Sequence, residues 1–232
     1  MKTLHRVSLS IPALAFLLFP ANARAQDASS AVLNALDVQQ LVKRSEPADN
    51  ARLAAHFTAL AERSAADAKR HTAMGQAYDV NGGRRASTNP AAHCARLAEL
   101  ATQSATTLRA LATYHEGVGA GGTPRAPKDG ARFQAGEGAL SPSERDLLGL
   151  AAQAKTPADH RALEQYYLTL STTYRDDAKD HLAMAGAYRG NANRRGGDPA
   201  VHCDRIVTLS REAAKEATDA AAMHRQLAGV AR

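Results

Sequence analysis

The stretch 67–78, with the sequence DAKRHTAMGQAY, decides the fold because it returns at 177–188 as DAKDHLAMAGAY. Each copy is followed by Asn-x-x-Arg-Arg and then by Pro-Ala-x-His-Cys. From 47 to 85, 16 of 39 residues are identical to those 110 positions further on, and from 89 to 115, 9 of 27 match those 109 positions further on. An internal repeat of this kind predicts two copies of one supersecondary unit.

Each copy predicts two long helices. Apolar and small residues recur at spacings of three and four, which is the period of one helix face. Pro47 and the pair Asn89-Pro90 supply signals for helix starts, and Gly82 and Gly83 supply a signal for a helix end. We therefore predict that the two helices of each copy form an antiparallel hairpin.

The predicted fold class is all-α. Repeat 1 covers 31–116, a Gly- and Pro-rich linker covers 117–141, and repeat 2 covers 142–230. We expect the two hairpins to pack as one antiparallel four-helix bundle with both hairpin loops at one end, plus two short accessory helices at 31–43 and 142–154. Two loosely tethered hairpins are the alternative, because a long Gly-rich linker does not require docking.

The first 25 residues have the features of a secretory signal peptide. Lys2 and Arg6 precede an apolar run at 9–19, and the small-x-small sequence at 23–25 marks a cleavage site before Gln26. The run is too short for a comfortable membrane span, so we expect no transmembrane segment. The expected location is the bacterial periplasm or the medium.

The charge of the chain is concentrated in that leader. Its removal takes away Lys2, Arg6 and Arg24, and the formal net charge falls from +6 to +3. We therefore expect no nucleic acid among the partners. The absence of Trp and the abundance of Ala predict a slim core with close helix contacts.

A soft-metal site is the sharpest chemical prediction. His71 and Met74 share a helix face with Asp67, and His93 and Cys94 begin the next helix, beside the end of the first in an antiparallel hairpin. Imidazole, thioether and thiolate suit Cu(I) first and Zn(II) second. The second copy repeats all four predicted ligands: His181, Met184, His202 and Cys203. The alternatives are core filling by the methionines and structural His–Asp pairs.

Two further sets of residues carry predictions. Cys94 and Cys203 are the only cysteines, and in an exported protein they predict a disulfide, provided that the second helices of the hairpins are neighbours. A disulfide would remove both thiolates as ligands. The loop arginines are candidates for binding an anion or a partner, with solvated loop charges as the alternative: Arg84, Arg85, Arg194 and Arg195.

Enzyme motifs are absent from the sequence. There is no Glu-x-x-His for a di-iron bundle, no His-Glu-x-x-His and no Cys-x-x-Cys-His for haem. His115 and His224 are expected to interact, as imidazolium, with the C-terminal dipoles of their helices. The leading hypothesis is a non-enzymatic exported bundle with a structural or interaction role in the envelope. The alternative is a periplasmic copper- or zinc-binding protein, so the expected partner is an envelope protein or a metal ion.

Overall fold

The computed structural model describes residues 32–80, 89–121, 142–191 and 198–230. Within these ranges the chain is all-α, as predicted, with six helices and no strand. The predicted leader at 1–25 and the four loop arginines lie outside the described residues. The helices are α1 (Ala35–Arg44), α2 (Pro47–Val80), α3 (Pro90–Gly119), α4 (Pro142–Gln153), α5 (Pro157–Arg189) and α6 (Pro199–Val230).

Side-chain caps explain where several helices begin. The Asn34 side chain accepts the amide of Asp37, which places the start of α1 four residues later than the predicted one. Asn89 caps α3, as predicted. Thr156 and Asp159 form a reciprocal capping box at the start of α5. Helix α3 continues to Gly119, beyond the predicted beginning of the linker at 117.

The long helices pack in antiparallel pairs, α2 with α3 and α5 with α6. A methyl group added at Gly75, late in α2, would lie 3.5 Å from the Cβ atom of Cys94, early in α3. In the second pair, Arg225 near the end of α6 donates to Glu164 near the start of α5 at 2.7 Å. These contacts are consistent with a helical bundle, and we call the two pairs hairpins below; that they are tandem repeats of one unit stays a prediction.

The two pairs meet through α3 and α6, which run in opposite directions. Arg96 donates to Glu212 at 2.7 Å, and Arg205 donates to Gln103 at 2.6 Å, so residue numbers fall along one helix as they rise along the other. The ends at which α2 stops and α3 begins therefore lie at the opposite side of the bundle from the ends at which α5 stops and α6 begins. The prediction that both hairpin loops share one end is wrong, because the chain between α3 and α5 is long enough to return along the bundle.

Helices α2 and α5 stay apart, and the short helices occupy the space between them. Among the described residues, no Cα atom of α2 lies within 8 Å of one of α5, whereas α1 and α4 each contact both helices. Asn191, just after α5, donates to the Val42 carbonyl of α1 at 2.6 Å. Arg70 of α2 donates to Glu144 of α4 at 3.2 Å. The two accessory helices α1 and α4 thus fill the gap between α2 and α5.

Small side chains bring α3 and α6 close together, as the Ala-rich sequence predicts. Larger side chains such as Leu53, Leu97 and Leu163 fill the rest of the core. None of the six described helices combines the length and the apolar character needed to span a bilayer. The buried alanines include Ala101, Ala105, Ala213, Ala214, Ala217 and Ala220.

Candidate functional site

The two cysteines are buried, free thiols, so the predicted Cys94–Cys203 disulfide is wrong. Helices α3 and α6 are neighbours, as a disulfide would require, but they are antiparallel. From the register set by Arg96 and Glu212, Cys94 is level with about residue 214 of α6, which is about 11 residues or roughly 16 Å from Cys203. A disulfide needs Cα atoms within about 7 Å of each other.

A buried polar cluster lies at the end of the bundle where α2 ends and α5 begins. The Tyr78 hydroxyl lies 3.1 Å from Nε2 of His224, and the other ring nitrogen of His224 lies 3.3 Å from Nδ1 of His160. Tyr167 stacks on His224 with ring centroids 5.6 Å apart, and its hydroxyl lies 3.2 Å from the Cys94 sulfur. We call these five residues the His224 cluster.

The opposite end contains a corresponding cluster. The Tyr188 hydroxyl lies 2.7 Å from Nε2 of His115, and Nδ1 of His115 lies 2.8 Å from the Asn50 side-chain oxygen. Phe57 stacks on His115 with ring centroids 5.6 Å apart. Cys203 lies near enough to Tyr188 to interact with it electrostatically. We call these five residues the His115 cluster.

The two clusters are built from aligned positions of the two sequence copies. At the offsets of 110 and 109, Tyr78 aligns with Tyr188, Cys94 with Cys203 and His224 with His115. The remaining pairs differ in residue type: His160 aligns with Asn50, and Tyr167 aligns with Phe57. In each cluster the tyrosine of one hairpin reaches the histidine of the other. Both clusters therefore fasten the hairpins together.

The hydrogen bonds fix the tautomer of His115. The Asn50 amide nitrogen donates to the Glu46 carbonyl at 2.9 Å, so its side-chain oxygen faces the imidazole as an acceptor. His115 therefore donates from Nδ1 to Asn50 and accepts the Tyr188 hydroxyl at Nε2. In the His224 cluster, either His160 or His224 carries the shared hydrogen, so two arrangements are available there.

Both histidines are neutral inside the bundle. Burial lowers the pKa of His115 to about 3, with a smaller effect from His56. Burial also lowers the pKa of His224 to about 4, with smaller effects from His160 and His93. The prediction of imidazolium groups at the helix C-termini is wrong, because these side chains point into the core, where burial disfavours the charged form.

The thiols share this environment. Burial raises the pKa of Cys94 to about 11 and that of Cys203 to about 12. Both sulfurs are therefore protonated at neutral pH, which disfavours them as thiolate ligands or nucleophiles.

The first predicted metal set is divided between different surroundings. His71 and Met74 are completely buried, and neither ring nitrogen of His71 has a hydrogen-bond partner. His93 instead donates to Glu216 on α6 at 2.5 Å. Cys94 faces Tyr167 on α5. Burial, followed by the charge of Arg70, lowers the pKa of His71 to about 4.

The second predicted set is divided in a similar way. His181 and Met184 line a cavity between α2 and α5. His202 is half-buried, and burial lowers its pKa. Cys203 is buried near Tyr188. Across the described parts of the chain, no three His, Cys, Asp or Glu side chains converge as they would around a metal ion. The soft-metal site stays a prediction, and the pairs His71–Met74 and His181–Met184 are what remains to support it.

Two residues of the clusters were not predicted as site residues, because the two copies differ at their position. Asn50 and His160 are aligned but differ in type, so neither stood out as part of a repeated site. In the structure both contact the same ring nitrogen of the equivalent histidine. The available signal was a shared position with a hydrogen-bonding side chain, rather than a shared residue.

Comparisons with protein-family models, with curated proteins and with solved structures find no match to this chain.

Proposed function

We propose that this chain is an exported, non-enzymatic helical-bundle protein with a structural or interaction role in the bacterial envelope. The observation that carries the proposal is the use of its repeated polar residues. Tyr78, Cys94 and His224 and their counterparts Tyr188, Cys203 and His115 are buried in the two end clusters, where Tyr78 and Tyr188 bond across the hairpins. Side chains that hold helices together are not exposed to a substrate.

We also propose that the two hairpins are copies of one ancestral unit. The matching contacts support this origin: Tyr78–His224 corresponds to Tyr188–His115, and the Arg96–Glu212 pair corresponds to Arg205–Gln103. A duplication that retains its fastening residues fits selection on the assembled bundle.

A native mass spectrum of the protein isolated from periplasm, without reductant or chelator, tests the proposal. We expect the mass of residues 26–232 with no metal and with two free thiols. Because both thiols are buried, they should react with an alkylating reagent only after the protein is unfolded. A chain that retains its leader would contradict export. A stoichiometric metal adduct would contradict a purely structural role and favour the second candidate.

The second candidate is a periplasmic soft-metal protein with copper first and zinc second. One observation favours it: the buried His71 ring has two nitrogens without partners and shares a helix face with Met74. Buried polar atoms are nearly always satisfied, so a ligand at this ring would remove an energetic cost of about 1–3 kcal/mol. An imidazole and a thioether suit Cu(I).

Two variants separate the candidates. His71→Ala combined with His181→Ala should abolish Cu(I) binding and keep the helicity if the metal hypothesis holds. Reduced helicity or stability, with unchanged Cu(I) affinity, would support the structural role. His160→Ala is the matched control, because this half-buried imidazole lies outside both predicted ligand sets.

A further inference from the structure

A cavity of about 130 Å³ lies in the gap between α2 and α5, near the middle of the bundle. Its inner part is formed by buried side chains such as His56, His181 and Met184, and the exposed Arg63 and Asp180 lie on its rim. An engineered cavity of about 150 Å³ holds benzene, so this space accommodates a small ligand of up to about six non-hydrogen atoms.

Three polar atoms without hydrogen-bond partners belong to side chains that line this cavity. They are Nε2 of His56, the hydroxyl oxygen of Tyr174 and Nδ1 of His181. Their residues are only 1%, 9% and 5% exposed, respectively. An unsatisfied buried polar group is costly, and native proteins contain few of them. Three around one cavity indicate that something polar belongs inside it.

The hydrogen-bonding role of His56 is fixed. Its Nδ1 atom accepts the backbone amide of Leu33 at 3.0 Å. A neutral imidazole then carries its hydrogen on Nε2, and burial keeps this ring neutral by lowering its pKa to about 4. The cavity therefore offers a donor at His56, which requires an acceptor on the ligand and excludes Nε2 of this tautomer as a metal ligand.

The charged side chains around the cavity favour a cation. Three aspartates and one arginine line it: Asp67, Asp177, Asp180 and Arg63. Asp67 is engaged by Arg70 at 2.5 Å. Asp177 is partly buried and near other carboxylates, and burial followed by these charges raises its pKa, while Arg63 opposes the shift. A positive group beside Asp177 would stabilise its carboxylate.

We propose that this cavity binds a small organic ammonium compound that carries a hydroxyl group, of about the size of ethanolamine. The ammonium group lies against Asp177, and the ligand oxygen accepts from Nε2 of His56 and bonds to the Tyr174 hydroxyl. This ligand matches the charge, the fixed donor and the volume together. The inference goes beyond the structural role proposed above.

Calorimetric titration of the mature protein with ethanolamine tests the inference. Ethylene glycol is the matched probe, since it has the same number of non-hydrogen atoms and no charge. We expect saturable binding of ethanolamine and at least about tenfold weaker binding of ethylene glycol. Equal binding of the two probes, or no heat of binding with ethanolamine, would overturn the proposal and leave a cavity that holds water only.

Paired substitutions on α5 localise the binding. Asp177→Asn should weaken ethanolamine binding at least about tenfold. Asp176→Asn should leave it unchanged, because the exposed Asp176 carboxylate pairs with Lys179 on the surface. An equal loss in both variants would contradict binding in the cavity. Tyr174→Phe provides a second test at the hydroxyl, and the comparison of probes on the unmodified chain does not depend on any variant folding.

Discussion

The His224 cluster and the His115 cluster occupy equivalent places at opposite ends of the bundle, but they differ in their hydrogen bonds. Only the His115 cluster has a single fixed arrangement of its shared hydrogens. At the His115 end, Asn50 is anchored to the backbone and sets one tautomer, and Phe57 contributes only its ring. At the other end, His160 replaces Asn50 and Tyr167 replaces Phe57. The shared Tyr–His pair is thus separable from the polar groups around it.

The substitutions extend the His224 cluster in two directions. The half-buried His160 connects His224 to the surface, and the Tyr167 hydroxyl connects the cluster to the Cys94 thiol. Tyr167 also stacks on His224, with ring centroids 5.6 Å apart. A Tyr–His pair joins the hairpins at each end, and at the His224 end the additional groups form a series of contacts from a buried thiol to a half-buried imidazole.

Acidification should have the largest effect and should separate the two ends. Five buried histidines have pKa values of about 4 or lower: His56, His71, His115, His181 and His224. Since the unfolded chain protonates them near 6.5, stability is complete above that pH and is lost as the pH falls towards 4. At a pH of about 5.5, each histidine should have lowered the free energy of unfolding by about 1 kcal/mol, which is on the order of 5 kcal/mol for the five together.

Denaturant unfolding between neutral and mildly acidic pH measures this loss. Imidazole resonances in NMR spectra should show His224 titrating at higher pH than His115, because their pKa values are about 4 and about 3. An equal free energy of unfolding at the two pH values would contradict the burial of neutral imidazoles. Earlier protonation of His115 would reverse the comparison between the ends.

Removal of either central imidazole should have the next largest effect. His115→Ala and His224→Ala should each lower the free energy of unfolding by about 3 kcal/mol, because each leaves a cavity and abandons polar partners. We expect the larger loss at His115, since its removal abandons the buried Asn50 and Tyr188, whereas one partner of His224 is the half-buried His160. Urea unfolding checks both values, with the half-buried His202→Ala as the control that should change little.

The tyrosine hydroxyls should follow, with unequal effects. Tyr188→Phe should cost about 1–2 kcal/mol and Tyr78→Phe about half as much. The Tyr188 bond to His115 is shorter, at 2.7 Å against 3.1 Å for Tyr78 and His224, and burial is high at both positions. Urea unfolding of the two variants gives the comparison directly. A larger loss from Tyr78→Phe would show that the extended cluster is the tighter fastening.

The smallest effect is expected where one end is converted towards the other. Tyr167→Phe gives the His224 cluster the ring found at Phe57 and removes one hydroxyl. It should cost about 1 kcal/mol, because the thiol of Cys94 is a weak partner and Tyr78 keeps its bond to His224. Thermal unfolding measures this change. A loss as large as that from His224→Ala would mean that the hydroxyl is central to the fastening.

Much of the architecture was accessible from sequence, because helix period and capping residues act locally. Asn89 and Pro90 begin α3 as predicted, and the accessory helices appear close to their predicted positions. The relative direction of the hairpins was not accessible. It depends on side chains more than 100 residues apart, such as Tyr78 and His224, and the long connection permits either direction.

The candidate site depended on that direction. With both loops at one end, Cys94 and Cys203 could approach each other and the predicted ligand sets would lie together. With the hairpins reversed, Cys94 meets Tyr167 of the opposite hairpin, and Cys203 lies near Tyr188 of its own hairpin. The repeated Tyr78 and Tyr188 instead bond to His224 and His115 at the far end of the other hairpin.

The opposed register of α3 and α6 has a consequence for the origin of the asymmetry. Contacts in which Arg96 meets Glu212 while Arg205 meets Gln103 have the geometry of a twofold homodimer, in which each surface patch faces its own counterpart. The two helix pairs of this single chain are thus arranged like the subunits of a twofold homodimer, and they meet at an effective concentration set by their connection. In a homodimer of identical chains, any substitution appears at both ends. In this single chain the equivalent positions differ, with a tyrosine at position 167 and a phenylalanine at position 57.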